Sequence, residues 1–208
     1  IVTEKETGNE LEIDNEYIMS PKDLKTIHFM DRMIDAGVRV FKIEGRARSA
    51  DYVKTVCLCY SEAAQAVVDG SFNQQKIDDW DSRLSKVFNR GFWDGYYLGQ
   101  KMGEWSQNYG NLASEKKIYI GKALNFFPQL GIGEFLMETK DLHVGEKVMV
   151  MGPTTGVYEF EVPEIRVELK PVDVACKGEK FSMPVPAKIR RSDKLYKVVE
   201  SERVKDNQ

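Results

Sequence analysis

The chain has 208 residues, 42% of them hydrophobic and 30% charged, which is the composition of a globular protein able to bury one large core or two small ones. No apolar run approaches the roughly 20 residues of a membrane helix and no leader opens the chain, so we expect no membrane partner. The formal net charge of -3 excludes a protein that holds nucleic acid by bulk charge, while a local basic patch stays open. Three irregularly spaced cysteines favour a reducing cytoplasm, and a start at Ile1 rather than Met indicates a piece of something longer.

The first half of the chain has the pattern of a parallel α/β unit. The pattern predicts, in order, a strand, a helix, a strand and two helices, over residues 17–19, 20–37, 38–43, 49–69 and 73–88. Ser20 is the expected N-cap of the first helix, Asp23 its capping-box acid and Gly37 its end. Because a parallel strand normally has neighbours on both edges, this unit looks incomplete.

From about residue 116 the pattern changes to short apolar or alternating runs separated by turn residues. Six runs are predicted strands, over residues 118–124, 132–137, 147–151, 157–167, 180–185 and 194–199. Six short strands at this pitch favour a small antiparallel barrel. The predicted fold class is therefore α/β plus all-β, with domains at 1–98 and 116–200, a linker at 99–115 and a tail at 201–208.

The sharpest local feature is the sequence KIEGR at residues 42–46, which ends the predicted strand 38–43. Loops at the carboxyl end of a parallel sheet collect substrates, and a glycine there lets the backbone approach a ligand closely. Glu44 could be an acid, a base or an orienting carboxylate, and Arg46 could fork onto a carboxylate or phosphate. The alternative is an ion pair between Glu44 and Arg46 that only ties the loop. The candidates are thus Glu44 and Arg46 for catalysis and Lys42, Gly45 and Arg48 for substrate binding.

Other residues capable of chemistry are scattered. Cys57 and Cys59 lie two apart on a predicted helix and face different ways, so we expect one core and one semi-exposed cysteine. Cys176 completes no recognised ligand spacing with them. His28 and His143 are isolated, so no metal site is predicted from this chain alone. The sequence has no nucleotide-binding glycine motif and no serine-hydrolase elbow.

Two groups of residues could bind nucleic acid. Aromatic residues that could stack on bases, or seal a joint between domains, are Phe92, Trp93, Tyr96, Tyr97, Trp105 and Tyr109. Basic residues concentrated near the end of the predicted barrel, which could contact phosphates or form a solvated rim, are Lys188, Arg190, Arg191, Lys194 and Lys197.

Several runs resemble the collagenase-like peptidase family U32. In the first half they are residues 17–24 (YIMSPKDL), 36–38, 41–46 (FKIEGR), 90–92, 95–96 and 107–109, with Ser49 and Tyr52. In the second half they are residues 121–123, 142–147, 151–156 (MGPTTG) and 189–196 (IRRSDKLY). The similarity covers nearly the whole chain, and it adds Tyr52 to the candidate substrate-binding residues.

The resemblance implies both a fold and a function. Residues 17–70 would be the last strands and helices of a TIM-like barrel, and the second domain would resemble domain 2 of translation elongation factors. The branch to which this sequence is most similar installs 5-hydroxyuridine at the wobble position of transfer RNA in a prephenate-dependent way. Transfer RNA and prephenate are therefore the expected partners, with Lys188, Arg190, Arg191 and Lys194 as the RNA-binding candidates.

The resemblance also bears on cofactors. Family members with hydroxylation roles hold an iron–sulfur cluster with cysteines, most of which would precede Ile1. Many relatives carry a cysteine where this chain has Lys25, so we expect no cofactor in these residues and an iron–sulfur cluster in the full-length protein. Three hypotheses follow: part of an RNA-modifying enzyme, a collagenase-like peptidase, and a non-catalytic RNA-binding module. The peptidase hypothesis lacks an evident activated nucleophile or carboxylate pair.

Overall fold

The structure, a computed structural model, describes residues 1–3, 5–8, 10–11, 21–100, 103–106 and 110–201. The chain divides into two compact units. We call Ile1–Arg46 with Thr55–Ala113 the helical unit, and Ala47–Lys54 with Ser114–Gln208 the β unit.

The helical unit contains short strands and three helices. In chain order the elements of this half are β1 (Val2–Thr3), β2 (Glu10–Leu11), β3 (Asp23–Leu24), a 3₁₀ turn (Ile27–Phe29), α1 (Met30–Asp35), α2 (Ala50–Val68), α3 (Gln74–Lys86) and β4 (Phe92–Trp93). The first turn of α2 groups with the β unit. β1 and β2 pair antiparallel, whereas β3 and β4 pair parallel.

Helices α2 and α3 each bury one apolar face. The buried residues recur at helical spacing, and they are Val56, Cys59, Ala63 and Ala66 on α2 and Ile77, Trp80 and Leu84 on α3. Asn73 caps α3, since its side chain accepts a 3.0 Å hydrogen bond from the amide of Lys76. Glu62 of α2 ties the helices together by accepting hydrogen bonds from Trp80 Nε1 at 3.0 Å and from both terminal nitrogens of Arg83. Within the described ranges, no helix combines the length and apolar character needed to cross a membrane.

The predicted first helix is much shorter than expected. Helical geometry begins at the 3₁₀ turn and α1, and Ser20 lies outside the described residues. Asp23, the predicted capping-box acid, is in β3, where its carboxylate accepts the backbone amide of Arg90 at 3.0 Å. The backbone of this segment instead forms hydrogen bonds with residues far away in the sequence. The Asp23 amide donates to the Gly91 carbonyl, and the Lys25 amide donates to the Trp93 carbonyl. Long-range pairing has overridden a local capping signal. The expected end of the helix is confirmed, because Gly37 follows α1 and its capping residue with a left-handed φ of +97°.

The predicted strand 38–43 is not a strand. These residues are neither helix nor strand, they pair with no strand of the described chain, and the side chain of Val40 is 84% exposed. β-propensity largely measures packing against neighbouring strands, so a β-rich run without a partner has nothing to hold it in a sheet. The other predicted strand, residues 17–19, lies outside the described residues. Within the described residues the strand–helix–strand–helix arrangement is thus not found, and β3 pairs in parallel with β4.

The β unit is built around an antiparallel sheet. Its strands are β5 (Glu115–Phe127), β6 (Ile132–Met137), β7 (Leu142–His143), β8 (Lys147–Gly152), β9 (Gly156–Glu161), β10 (Ile165–Val167), β11 (Lys170–Val172), β12 (Val174–Ala175), β13 (Lys180–Pro184) and β14 (Lys194–Glu200). Eight of them form one sheet in the order β11-β10-β13-β6-β5-β14-β8-β9, and β7 pairs with β12. Each of the six predicted runs therefore overlaps a strand, with residues 157–167 split into two, whereas β7, β11 and β12 were not predicted.

One face of the large sheet buries the main core. Along β6 and β13 every second side chain is buried. Phe135 and Phe181 are two of these side chains, and their stacked rings lie 5.5 Å apart between centroids. A smaller cluster of Met149, Val157 and Val198 lies apart from this core. Strands β11 and β9 end the sheet and do not pair with each other, so the sheet is open in the part of the chain that the structure describes, and the predicted closed barrel is not found.

Candidate functional site

The KIEGR loop forms an exposed turn of the helical unit. Lys42, Glu44 and Arg46 are all exposed, and Gly45 is half-buried. Glu44 Oε1 accepts the backbone amide of Arg46 at 2.7 Å. The carboxylate thus closes the turn through a backbone bond, whereas the alternative from sequence was a side-chain ion pair. The other carboxylate oxygen and the Arg46 guanidinium lie on an accessible surface, where they can meet a ligand.

Arg48 and Tyr52 belong to the β unit. The Arg48 guanidinium lies 5.3 Å from the centroid of the Tyr52 ring, a cation–π distance. Ala47 precedes them with φ +58°, a left-handed conformation that costs a non-glycine residue roughly 1 kcal/mol. Strain of this kind persists only where the surroundings fix it.

A buried ion pair fixes this segment. Lys117 of β5 pairs with Asp51 in the first turn of α2, and its Nζ also lies 3.1 Å from Ser49 Oγ. The Asp51 side chain is only 10% exposed, so the two charges attract in a poorly screened environment. The six candidates therefore fall into two groups: residues 42–46 in the helical unit, and Arg48 with Tyr52 anchored in the β unit.

Two of the basic candidates, Arg190 and Arg191, lie in the turn before β14, while Lys188 precedes that turn and Lys194 begins the strand. Lys188, Arg190, Arg191 and Lys194 are all exposed. Asp193, which is only 3% exposed, holds this turn from inside, because its Oδ2 accepts the Arg190 amide at 2.7 Å. Its own amide donates to the Arg190 carbonyl at 3.1 Å, and Ser192 takes a left-handed φ of +72°. We call residues 190–193 the arginine turn.

The arginine turn packs against the turn after β8. Gly152 leaves room for the Asp193 carboxylate, since a Cβ there would lie 1.8 Å from Asp193 Oδ1. Arg190 Nη1 donates to Thr155 Oγ1 at 3.3 Å. Sequence reasoning found the arginines from their charge and missed Asp193 and Gly152, whose roles depend on a contact between distant turns. Lys197, also counted among the basic residues, pairs with Glu146.

The cysteines provide no activated thiol. Cys59 is fully buried, and burial raises the pKa of its thiol to about 11, so at neutral pH it is protonated and a poor nucleophile. Cys57 is exposed, as the spacing predicted. Cys176 is exposed in the β unit, and desolvation with the nearby Asp141 and Glu179 raises the pKa of its thiol.

The described residues contain no group of three or more His, Cys, Asp and Glu side chains able to hold a metal ion. The Lys25 side chain forms an ion pair and a cation–π contact. Its Nζ lies 2.8 Å from Asp81 Oδ2 and 5.1 Å from the centroid of the Phe92 ring. His28 Nε2 lies 3.1 Å from Asp94, and His143 is exposed. These contacts fit structural ion pairs and do not assemble an iron–sulfur site.

The aromatic candidates of the helical unit are partly exposed. Tyr96 and Tyr97 are both exposed. The Trp93 ring packs edge-on against the Tyr96 ring with 5.3 Å between centroids, and the centroids of Tyr97 and Phe29 are 6.0 Å apart. Tyr109 lies outside the described residues.

The chain is similar in sequence to several known proteins. A family model described as "Peptidase family U32" matches residues 1–107. The chain is 56% identical to a collagenase of Porphyromonas gingivalis over 94% of its own length and 47% of that protein. It is 32% identical to an uncharacterized protease of Methanocaldococcus jannaschii over 97% of its length and 50% of that protein. It is 34% identical to the tRNA hydroxylation protein P1 of Bacillus subtilis over 55% of its length and 27% of that protein. The chain thus spans about half the length, or less, of these relatives.

Proposed function

The chain belongs to peptidase family U32, and from this premise we propose that it is the RNA-holding part of an enzyme that hydroxylates transfer RNA at the wobble uridine. The observation that carries the proposal is the arginine turn. A chain of net charge -3 concentrates exposed cations on a turn whose backbone a buried aspartate fixes. Guanidinium groups match phosphate geometry, and a fixed turn presents them without the cost of ordering its backbone. The similarity to a tRNA hydroxylation protein supports RNA as the ligand.

The KIEGR loop would serve the chemical step in this proposal. Glu44 and Arg46 are the catalytic candidates, while Lys42, Gly45, Arg48 and Tyr52 are the candidates for binding a small anionic co-substrate. Prephenate, which the family resemblance suggests, carries two carboxylates and suits guanidinium and ammonium partners of this kind. The exposure of Lys42, Glu44 and Arg46 supports a role in contacting a ligand.

The proposal extends to the fold of the whole protein. Parallel strands are normally covered on both faces and paired within larger sheets, whereas β3 and β4 form a parallel pair of two residues each. This supports the idea that the helical unit contributes the end of a TIM-like barrel in the longer protein. The β unit would then be the counterpart of domain 2 of translation elongation factors.

An iron–sulfur cluster would supply the redox chemistry of such a hydroxylase. The described residues do not fit one, because Cys59 is buried in α2 and Lys25 pairs with Asp81. Any cluster in the whole enzyme would therefore take its cysteines from elsewhere in the protein.

The test is binding of transfer RNA by the whole protein, measured by fluorescence anisotropy over a range of salt concentrations. The double variant Arg190→Glu/Arg191→Glu should weaken binding at least tenfold and lower the slope of log K against log salt by about one per lost phosphate contact. Lys170→Glu/Lys180→Glu is the matched control, because it makes the same charge change at two other exposed lysines of the β unit. Equal losses in both variants would mean that only net charge matters and would overturn the role of the arginine turn.

A collagenase-like peptidase is the second candidate, favoured by the 56% identity to the Porphyromonas gingivalis collagenase. Mass spectrometry of transfer RNA nucleosides from a strain lacking the gene separates the two. Loss of 5-hydroxyuridine derivatives supports the hydroxylase. An unchanged nucleoside profile, with release of peptides from gelatin by the purified whole protein, supports the peptidase.

A further inference from the structure

A pair of tyrosines stands on the face of the large sheet that points away from its main core. Tyr119 of β5 and Tyr196 of β14 are directly opposite each other in the antiparallel register. The register shifts between Leu195 and Tyr196, but Tyr196 packs against the separate cluster of Met149, Val157 and Val198, and Ile118, the neighbour of Tyr119, packs against the main core. Since successive side chains of a strand point to opposite faces, both tyrosines lie on the outer face. Their ring centroids are 5.7 Å apart at an interplanar angle of 70°.

One part of this outer face is buried and another part is accessible to solvent. The cluster of Met149, Val157 and Val198 is buried, and the first turn of α2 reaches this region, because Lys54 Nζ donates to the Val157 carbonyl at 2.7 Å. Tyr119 and Tyr196 are only half-buried, and Lys194, which shares the face with Tyr196 two residues along β14, is exposed. Part of the aromatic surface therefore remains accessible, next to an exposed lysine.

The arginine turn directly precedes the strand that carries Tyr196. Asp193, which holds the turn, is followed directly by Lys194 and then, two residues later, by Tyr196. The strand β8, paired with β14, ends at Gly152, against which Asp193 packs. The arginine turn and Lys194 thus adjoin Tyr196 along the chain, and Tyr119 lies opposite Tyr196 on the paired strand β5.

The Tyr119 ring is held in place. Its hydroxyl donates to Glu138, which also pairs with Lys122 at 2.6 Å. Burial and the Glu138 carboxylate raise the pKa of Tyr119 to about 12, so the hydroxyl keeps its proton and this bond at neutral pH. A ring fixed in this way loses little freedom when a flat ligand packs on it.

We propose that Tyr119 and Tyr196 form a stacking platform for unpaired bases of RNA, beside the phosphates that the arginine turn holds. Unpaired bases expose a flat aromatic face, and RNA-binding sheets use half-exposed aromatic side chains flanked by cations to stack them. A base-paired helix keeps its bases stacked inside and would meet the cations alone. This inference rests on the proposed RNA-binding function and refines it to single-stranded regions, such as a loop.

The experiment measures the affinity of the full chain for two labelled RNAs of equal length, one single-stranded and one fully paired. Tyr196→Leu should weaken single-strand binding roughly tenfold, the range expected for one stacked base, and leave duplex binding and the salt slope unchanged. Tyr196→Phe keeps the ring and should bind like the parent. Thermal unfolding of each variant checks that Tyr196→Leu retains its fold.

The outcomes are distinguishable. If a folded Tyr196→Leu binds single-stranded RNA as tightly as the parent, or if Tyr196→Phe loses as much as Tyr196→Leu, the platform is wrong while RNA binding itself stands. If the parent chain binds neither RNA, the proposed function fails first, and the platform fails with it.

Discussion

At the scale of single residues, Gly152 has a role that its neighbours in sequence do not reveal. A Cβ at this position would lie 1.8 Å from Asp193 Oδ1, and Asp193 cannot move without releasing the Arg190 amide. Gly152→Ala should therefore lower the free energy of unfolding by about 2 kcal/mol, the range of core overpacking, and weaken RNA binding as the arginine turn shifts. Denaturant unfolding measures the first effect.

Asp193→Ala provides the control for this prediction. It removes the carboxylate that the new methyl group would strike, so Gly152→Ala should cost much less in that background. An equal cost in both backgrounds would show that the strain arises elsewhere.

Residue-scale prediction from sequence worked where charge alone was the signal. Arg190 and Arg191 stood out against an acidic average, and the structure places both on an exposed turn. Asp193 and Gly152 could not be found in the same way, because neither a buried hydrogen-bond acceptor nor a missing Cβ leaves a mark in composition or spacing. The positions of Glu44 and Arg46 on a turn were predictable, whereas the bond from the Arg46 amide to Glu44 was not.

At the scale of elements, the first turn of α2 depends on the ion pair between Lys117 and Asp51. Lys117→Met would leave the Asp51 carboxylate, with a side chain 10% exposed, without its counter-charge. We expect a loss of about 3 kcal/mol in the free energy of unfolding, as for other buried pairs broken on one side, and faster amide exchange over residues 50–54. Lys116→Met, at the exposed neighbouring position, should change neither. Matching exchange rates in the two variants would contradict the anchoring role.

The elements also show which sequence signals were decisive. Strands of the β unit were predictable, because alternating runs between turn residues are packed by the strands beside them. The start of the helix expected at residues 20–37 was wrong, and so was the strand at 38–43, because each rested on local preference. Backbone hydrogen bonds from residues 22–25 to residues far away in the sequence prevent a helix there. Residues 38–43 form no strand because they have no neighbouring strand to pair with in the described chain.

At the scale of the whole molecule, each unit contains a carboxylate whose protonation opposes folding. Hydrogen bonds from Arg83 lower the pKa of Glu62, and one from Lys122 lowers that of Glu138, both from an ordinary value of 4.5. A pKa lower in the folded state than in the unfolded state gives stability that is present above 4.5 and is lost as the pH falls below it. The free energy of unfolding should therefore decline on acidification. Glu62→Gln/Glu138→Gln should flatten that decline in denaturant titrations across pH, whereas the exposed Glu161→Gln should leave the slope unchanged.

The fixed shape of the arginine turn also has a kinetic consequence. Because Asp193 sets the backbone before any ligand arrives, the turn itself needs no rearrangement at encounter, and we expect the capture rate to follow long-range attraction. Residence time would then depend on short-range contacts made afterwards. Ionic strength should govern how fast the complex forms, and the neighbouring strand surface how long it lasts.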